Sequence, residues 1–259
     1  MSADLPLSFH NAGHCRLAFR KRPARQDVPA KPGIVWLGGF KSDMLSSKAA
    51  RLDAFAAEEG RSCLRFDYSG HGESEGRFED GTISLWLQES LAMIRAQTDG
   101  PQILVGSSMG GWIALLVARA MGADEAAQRL AGLVLIAPAV DFTECLMWAQ
   151  MPPAIRNEIE TNGVWLRESA YSPEPTPITR ALIEDGRRNL MFDGAIDAHA
   201  PVHILQGMQD PDVPWQQAMK LVEHLAGDCV MLCLIKDGDH RLSREEDIDA
   251  LITAVARIA

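Results

Sequence analysis

The 259-residue sequence predicts an α/β fold: a mostly parallel central sheet, an antiparallel hairpin at its N-terminal edge and a helical insertion. Three observations predict it. Apolar runs of strand length alternate with segments of helical periodicity, the rhythm of βαβ units. Asn11-Ala12-Gly13 separates two short runs, and Asn and Gly supply the positive φ that a hairpin turn demands. Residues 141 to about 200 lie between two strands and form a stretch several times longer than one crossover helix needs.

In chain order, residues 5–10 and 14–20 form the hairpin. Residues 33–37, 62–66, 102–105, 133–137, 202–205 and 230–235 are apolar enough to be strands buried on both faces, as parallel strands are. Between them, residues 46–59, 83–97, 108–121, 215–225 and 244–258 have the length and 3.6-residue spacing of helices. The chain is thus expected to be one domain over residues 1–259 with an insertion at about 141–200. The insertion holds Met147, Trp148, Met151, Trp165, Met191, Phe192 and a Pro-rich elbow over 172–177. It reads as a small cap over the carboxyl ends of the strands, where open α/β sheets place ligands. Trp148, Trp165 and Met147 are its candidate substrate contacts. The alternative is a decoration that only covers core.

Charge and composition exclude several functions. With 25 Lys and Arg against 35 Asp and Glu, the formal net charge is −10. Apart from Lys21-Arg22 and Arg25 there is no basic cluster of the kind that releases counterions from nucleic acid. No nucleic-acid partner is expected. The longest apolar run, Leu130 to Val140, contains Gly132 and Pro138 and falls well short of the roughly 20 residues a membrane-spanning helix needs. The first residues carry Asp4 and no basic, apolar leader, so a soluble cytoplasmic protein is expected. The five cysteines are scattered without C-x-x-C spacing, which argues against a disulfide framework or a zinc site. Cys229 and Cys233 are expected to be reduced core thiols sharing one strand face.

The chemistry is concentrated in three places. Gly106-Ser107-Ser108-Met109-Gly110 follows a buried strand and opens a helix, the context in which G-x-S-x-G presents a nucleophile. Small residues at 106 and 110 let the turn close tightly and lift Ser108 into solvent at the positive end of a helix. A serine needs a base to take its proton. Of the histidines after Ser108, His199 and His203 flank or enter a strand and His224 lies in a helix. His240 alone sits in a polar loop after the last strand, and is the candidate base. Asp210, in Gly207-Met-Gln-Asp-Pro-Asp-Val-Pro214, follows the preceding strand and is the preferred acid to hold the imidazole tautomer. Asp212 is the alternative. The oxyanion needs two backbone donors, assigned to the N–H groups of Met109 and Phe40, the latter after Gly38-Gly39. Asp67-Tyr-Ser-Gly-His71-Gly-Glu-Ser74 tempts a metal or phosphate assignment, but two ligands on one loop do not make a metal site. It reads as a structural loop bordering the site, and no metal is expected.

Taken together these motifs resemble the α/β-hydrolase family. The stretches 65–70, 99–112, 163–165, 171–172, 207–215 and 239–241 are similar to its mitochondrial palmitoyl-protein thioesterases, which also cleave an acyl-glucuronide. The resemblance implies thioester and ester hydrolysis by a Ser108–Asp210–His240 triad without a cofactor. Its implied substrates are small-molecule or lipid-acyl esters and thioesters, including S-acylated proteins. Competing readings are a cofactor-free haloperoxidase or acyltransferase on the same residues, separable by product analysis, and a non-catalytic ligand-binding homologue, separable by fluorophosphonate labelling. Dehalogenase chemistry needs an Asp where Ser108 stands.

Overall fold

The computed structural model describes residues 5–169 and 172–258. The first four residues of the N-terminal reading and Tyr171 of the resemblance lie outside the described residues.

The apolar runs pair into an eight-stranded sheet. β1 (Ser8–Asn11) and β2 (Arg16–Arg22) are the antiparallel hairpin, turned at Gly13 with φ +90°, where the Asn11 side chain accepts the Gly13 N–H. β2 continues antiparallel onto β4 (Cys63–Phe66). The other neighbours are parallel: β3 (Gly33–Leu37), β5 (Gln102–Ser107), β6 (Leu130–Ile136), β9 (Val202–Gly207) and β10 (Val230–Ile235). The spatial order is β1-β2-β4-β3-β5-β6-β9-β10.

Because side chains alternate across a strand, β3 sends Val35 and Leu37 into one core and Ile34 and Trp36 into the other. Helices cover both faces. α1 (Ser47–Glu59) and α7 (Glu245–Ala256) pack on the Ile34 side, and α2 (Ile83–Gln97), α3 (Met109–Arg129) and α6 (Trp215–His224) on the Val35 side. Side-chain caps start α1 and α2: Ser46 and Thr82 each accept a first-turn N–H that has no helical partner. α3 runs past its expected stop at Met121. Gly122, at φ +65° and ψ 179°, breaks it, and a second helical piece continues to Arg129.

Two expectations are corrected. β10 is the edge of the sheet, paired with β9 alone, so it is half-covered rather than buried; Cys233 in it and Cys229 before it are exposed thiols. The insertion is also more than helical. Between β6 and β9 the chain makes a π turn (Thr143–Met147), a 3-10 turn (Trp148–Gln150) and α4 (Pro153–Asn162). The antiparallel pair β7 (Val164–Ser169) and β8 (Ser172–Thr179) follows, then α5 (Arg180–Arg188). The expected Pro-rich elbow is therefore a strand. Pro177 pairs with Leu166, and the register shifts between Arg167 and Ser169, opposite the stretch that holds Pro173 and Pro175, an irregularity of the kind where prolines are tolerated.

Buried carboxylates tie the insertion down. Asp141, at φ +56°, accepts the N–H groups of Met191 and Phe192 at 2.9–3.1 Å, joining the start of the insertion to its end. Asp185 of α5 accepts the Ser84 N–H at 2.7 Å, in the first turn of α2 where negative charge is favoured. Replacing Asp141 by Ala leaves two N–H donors without their acceptor and is expected to cost about 2–3 kcal/mol, read from the urea midpoint. The exposed Arg180–Glu184 pair at 3.7 Å provides the contrast: Glu184→Gln is expected to stay within about 0.5 kcal/mol of wild type.

Candidate active site

Ser108 stands between β5 and α3 with φ +54°, a left-handed conformation costly for a residue with a Cβ. Its surroundings impose it. A Cβ at Gly106 would lie 2.2 Å from the Gly110 carbonyl oxygen, and one at Gly110 would lie 2.0 Å from that of Leu37. The Ser108 N–H donates to Ile136 O, and its carbonyl accepts from Gly111 and Ala139. The backbone is thus pinned by β6 and the segment after it.

His240 lies in the loop between β10 and α7. Its Nε2 is 3.1 Å from Ser108 Oγ and its Nδ1 2.8 Å from Asp210 Oδ2. The Asp210 side chain is fully buried; Oδ1 accepts the N–H groups of Asp212 and Val213, and Oδ2 also accepts from the Gln206 amide. A carboxylate only accepts, so Nδ1 carries the proton and Nε2 is left to accept from the Ser108 hydroxyl. Of the two acids weighed from the sequence, Asp210 faces the imidazole, while Asp212 is exposed. Asp239 turns onto its own loop and accepts the Arg241 and Leu242 N–H groups at 3.0 Å.

The His240 loop is fixed from two sides. A Cβ at Gly207 would lie 2.4 Å from Gly238 O, so the end of β9 packs directly on it. From α1, Lys48 donates to the Arg241 carbonyl and, at 3.1 Å, to Ser243 Oγ. Burial pushes the Lys48 ammonium down to about 8, because desolvation disfavours the charged form.

The two proposed oxyanion donors lie beside Ser108. Neither the Phe40 N–H nor the Met109 N–H reaches an acceptor among the described residues. A Cβ on Gly39 would come within 3.5 Å of Ser108 Cβ, so the loop after β3 touches the serine.

Two cavities meet at Ser108, His240 and Phe40. One, of about 320 Å³, is walled by Met109, Phe142, Leu146, Met147 and Val213, with Gln150, Arg167 and Asp212 also lining it. The other, of about 520 Å³, is lined by Lys41, Lys48 and Arg241 and by the hydroxyls of Ser42, Ser46 and Ser243. Met147 lines the smaller cavity. Trp148 and Trp165 line neither: both pack on the core, and the Trp148 ring lies under the guanidinium groups of Arg156 and Arg187 at 5.6 and 4.7 Å. Phe142, Leu146 and Arg167 escape sequence reading, since nothing in their local pattern distinguishes cavity wall from core.

Among the described residues, two groups of side chains bring three potential metal-ligand atoms together, Asp210–Asp212–His240 and His14–Cys15–Glu89. In the first, the Asp210 and His240 atoms are bonded to each other. In the second, His14 Nε2 lies 2.7 Å from Glu89 Oε1 and docks the hairpin on α2.

Comparison with known proteins identifies the family. A model of the Alpha/beta hydrolase family matches residues 32–254. The human "Palmitoyl-protein thioesterase ABHD10, mitochondrial" is 33% identical over 246 residues, 92% of this chain and 78% of the relative. Among solved structures, a candidate hydrolase from Agrobacterium vitis S4 has a TM-score of 0.91 and 48% identity, covering 98% of this chain and 99% of that one. Mouse alpha/beta hydrolase domain-containing protein 10 has a TM-score of 0.86 and 32% identity, with 98% of each chain covered. The expectation of a cytoplasmic protein is corrected by the curated relatives, which are named as mitochondrial. That expectation rested on the composition of the first residues, which says nothing of the compartment where the fold works. A family model spanning most of the chain, and relatives alike over nearly all of it, lead to one conclusion: the chain belongs to the alpha/beta hydrolase family and is a hydrolase.

Proposed function

We propose that the protein hydrolyses acyl thioesters and carboxylic esters through an acyl-enzyme on Ser108. The observation that carries this reading is the hydrogen-bonded chain from Ser108 Oγ through His240 to the buried Asp210, opening on a cavity walled in part by Phe142, Leu146, Met147 and Val213. His240 Nε2 takes the hydroxyl proton as Oγ attacks the acyl carbonyl, and Asp210 holds the ring and offsets the imidazolium charge. The Phe40 and Met109 N–H groups receive the oxyanion at the positive end of α3. As the tetrahedral species collapses, the C–S or C–O bond breaks and the departing thiolate or alkoxide takes the proton from His240. His240 then deprotonates a water, whose attack frees the acid and restores Ser108. Each step uses this chain's own groups and water.

The cavities divide the substrate. The one walled by Phe142, Leu146, Met147 and Val213 takes the acyl chain, and the one lined by Lys41, Lys48 and Arg241 the leaving group. Phe142, Leu146, Met147 and Arg167 reach the acyl side from the insertion, which in this reading is the cap of a single domain. The relatives named as palmitoyl-protein thioesterases favour S-acyl groups on proteins or small thiols, and acyl-glucuronide-like esters fit the same chemistry.

Ser108→Ala is expected to lower turnover of nitrophenyl esters and S-acyl thioesters at least about a thousandfold and to abolish fluorophosphonate labelling. Undiminished turnover would sink the reading. Asp210→Asn is expected to lower kcat about 10³–10⁴-fold with the geometry intact, because the amide favours the wrong imidazole tautomer. Leu146→Trp narrows the acyl cavity, so kcat/KM across a chain-length series is expected to fall about tenfold or more for long acyl groups. With acetyl it is expected to hold within about twofold. An unchanged length profile places the acyl chain elsewhere.

A further inference from the structure

We propose that His71 is a positioning residue for the oxyanion hole, holding the loop that carries the Phe40 N–H through a hydrogen bond to the next peptide. This rests on the assignment of Ser108 as nucleophile and Phe40 as donor. The loop after β3 turns at Gly39–Ser42, closed by the Ser42 N–H on the Gly39 carbonyl at 3.1 Å. That bond orients the Gly39–Phe40 peptide, whose other end is the Phe40 N–H. Lys41 holds the third position of the turn at φ +58°, a place that favours glycine because a Cβ is strained there. Rotation of the Phe40–Lys41 peptide would relax that strain and swing the Lys41 N–H away.

One acceptor opposes the rotation. The Lys41 N–H donates to His71 Nε2 at 3.1 Å. His71 belongs to the glycine-rich loop after β4, far from Lys41 in sequence, and is 4% exposed. Its Nδ1 lies 3.1 Å from the Ser69 carbonyl. A carbonyl cannot donate, so the proton sits on Nδ1 and Nε2 is a bare acceptor aimed at Lys41. Burial holds the imidazole neutral, its pKa pushed down to about 4. The ring has no freedom to turn: it packs on Phe78 and Trp86 at centroid distances of 5.1 and 5.2 Å, and Phe40 packs on the same two rings at 4.9 and 6.0 Å. The same loop anchors the far end of the turn, where Asp67 Oδ1 accepts the Met44 N–H at 2.7 Å. The oxyanion loop is thus sutured to the loop after β4, with His71 nearer to Phe40.

The test compares His71→Leu, which fills the space without an acceptor, and His71→Gln, which restores one. In His71→Leu, kcat on an S-acyl thioester is expected to fall about 10–100-fold, a fraction of the loss when an oxyanion donor is deleted outright. KM should stay within about threefold, and affinity for a trifluoromethyl ketone, which forms the tetrahedral adduct, should fall in parallel with kcat. His71→Gln is expected to return kcat to within about threefold of wild type. A folded His71→Leu enzyme with unchanged kcat overturns the proposal, and so does a folded His71→Gln enzyme no better than the leucine variant. Should His71→Leu not fold, His71→Gln alone decides, a tenfold loss counting against. Fluorophosphonate labelling of the wild type separates the two readings. Failure to label Ser108 defeats its assignment as nucleophile, whereas labelled Ser108 with an indifferent His71→Leu defeats only the role given to His71.

Discussion

The close approach of α3 to the end of β3 is the constraint on which the rest of the site depends. With no side chain at Gly110, the first turn of α3 comes so near the Leu37 and Gly38 carbonyls that a Cβ would lie 2.0 and 2.6 Å from them. That approach sets how far the helix can advance, and therefore where Ser108 is lifted and where the N–H of Met109 points. It also leaves the loop after β3 against the serine, where a Cβ on Gly39 would come within 3.5 Å of Ser108 Cβ. The left-handed φ of Ser108 is the local cost, tolerated because the backbone is held by Ile136, Gly111 and Ala139. His240 and Asp210 are placed by separate means, the packing of Gly207 under Gly238 and the amide ring of bonds around the Asp210 carboxylate. They meet Ser108 because β5 and β9 are held in register by β6 between them.

Much of this architecture was legible in the sequence, for a physical reason. Strands buried on both faces must be apolar at every position, so residues 33–37 and 102–105 stand out from any surface segment. Edges carry no such signature. Val230–Ile235 is as apolar in composition as an interior strand, yet it lies at the end of the sheet with Met231 and Leu234 exposed. Strand order comes from tertiary pairing that one sequence does not spell out, so composition alone places its thiols in the core. The proline-rich segment erred in the opposite direction. Proline breaks an interior strand, but a two-stranded ribbon with an irregular register accommodates it.

The site divides along the same line. Ser108 was legible because its chemistry demands a local backbone geometry, and that geometry demands glycines at fixed spacing. His240 stands out by elimination among few histidines and Asp210 by its place after a strand, and it is Asp210 rather than Asp212 that meets the His240 Nδ1. The cavity walls were not legible. Trp148 and Leu146 are two residues apart in one segment, and only the path of the π turn decides that Leu146 faces the cavity while Trp148 faces two arginines. His71 shows the limit most clearly. Its loop was read as structural and bordering the site, but its bond to Lys41 spans two loops that nothing in the chain marks as partners.

A net charge of −10 says little about what approaches Ser108. Surface charges act over a screening length of about 8 Å in physiological salt, and several of the acids are already paired, Glu75 with Arg16, Glu125 with Arg95 and Asp237 with Arg244. Beside the serine the balance reverses: Lys41, Lys48 and Arg241 line the 520 Å³ cavity against Asp43. Lys48 is buried, so its field is screened less than that of any surface group. On an acidic protein the wall of this cavity thus carries more cationic than carboxylate side chains. The two walls also come from different parts of the chain. Phe142, Leu146 and Met147 belong to the insertion, whereas Lys48 and Arg241 belong to α1 and the His240 loop. Substitution in the insertion can then reshape the wall of Phe142, Leu146 and Met147 while leaving the wall of Lys48 and Arg241, and the geometry at Ser108, as they are.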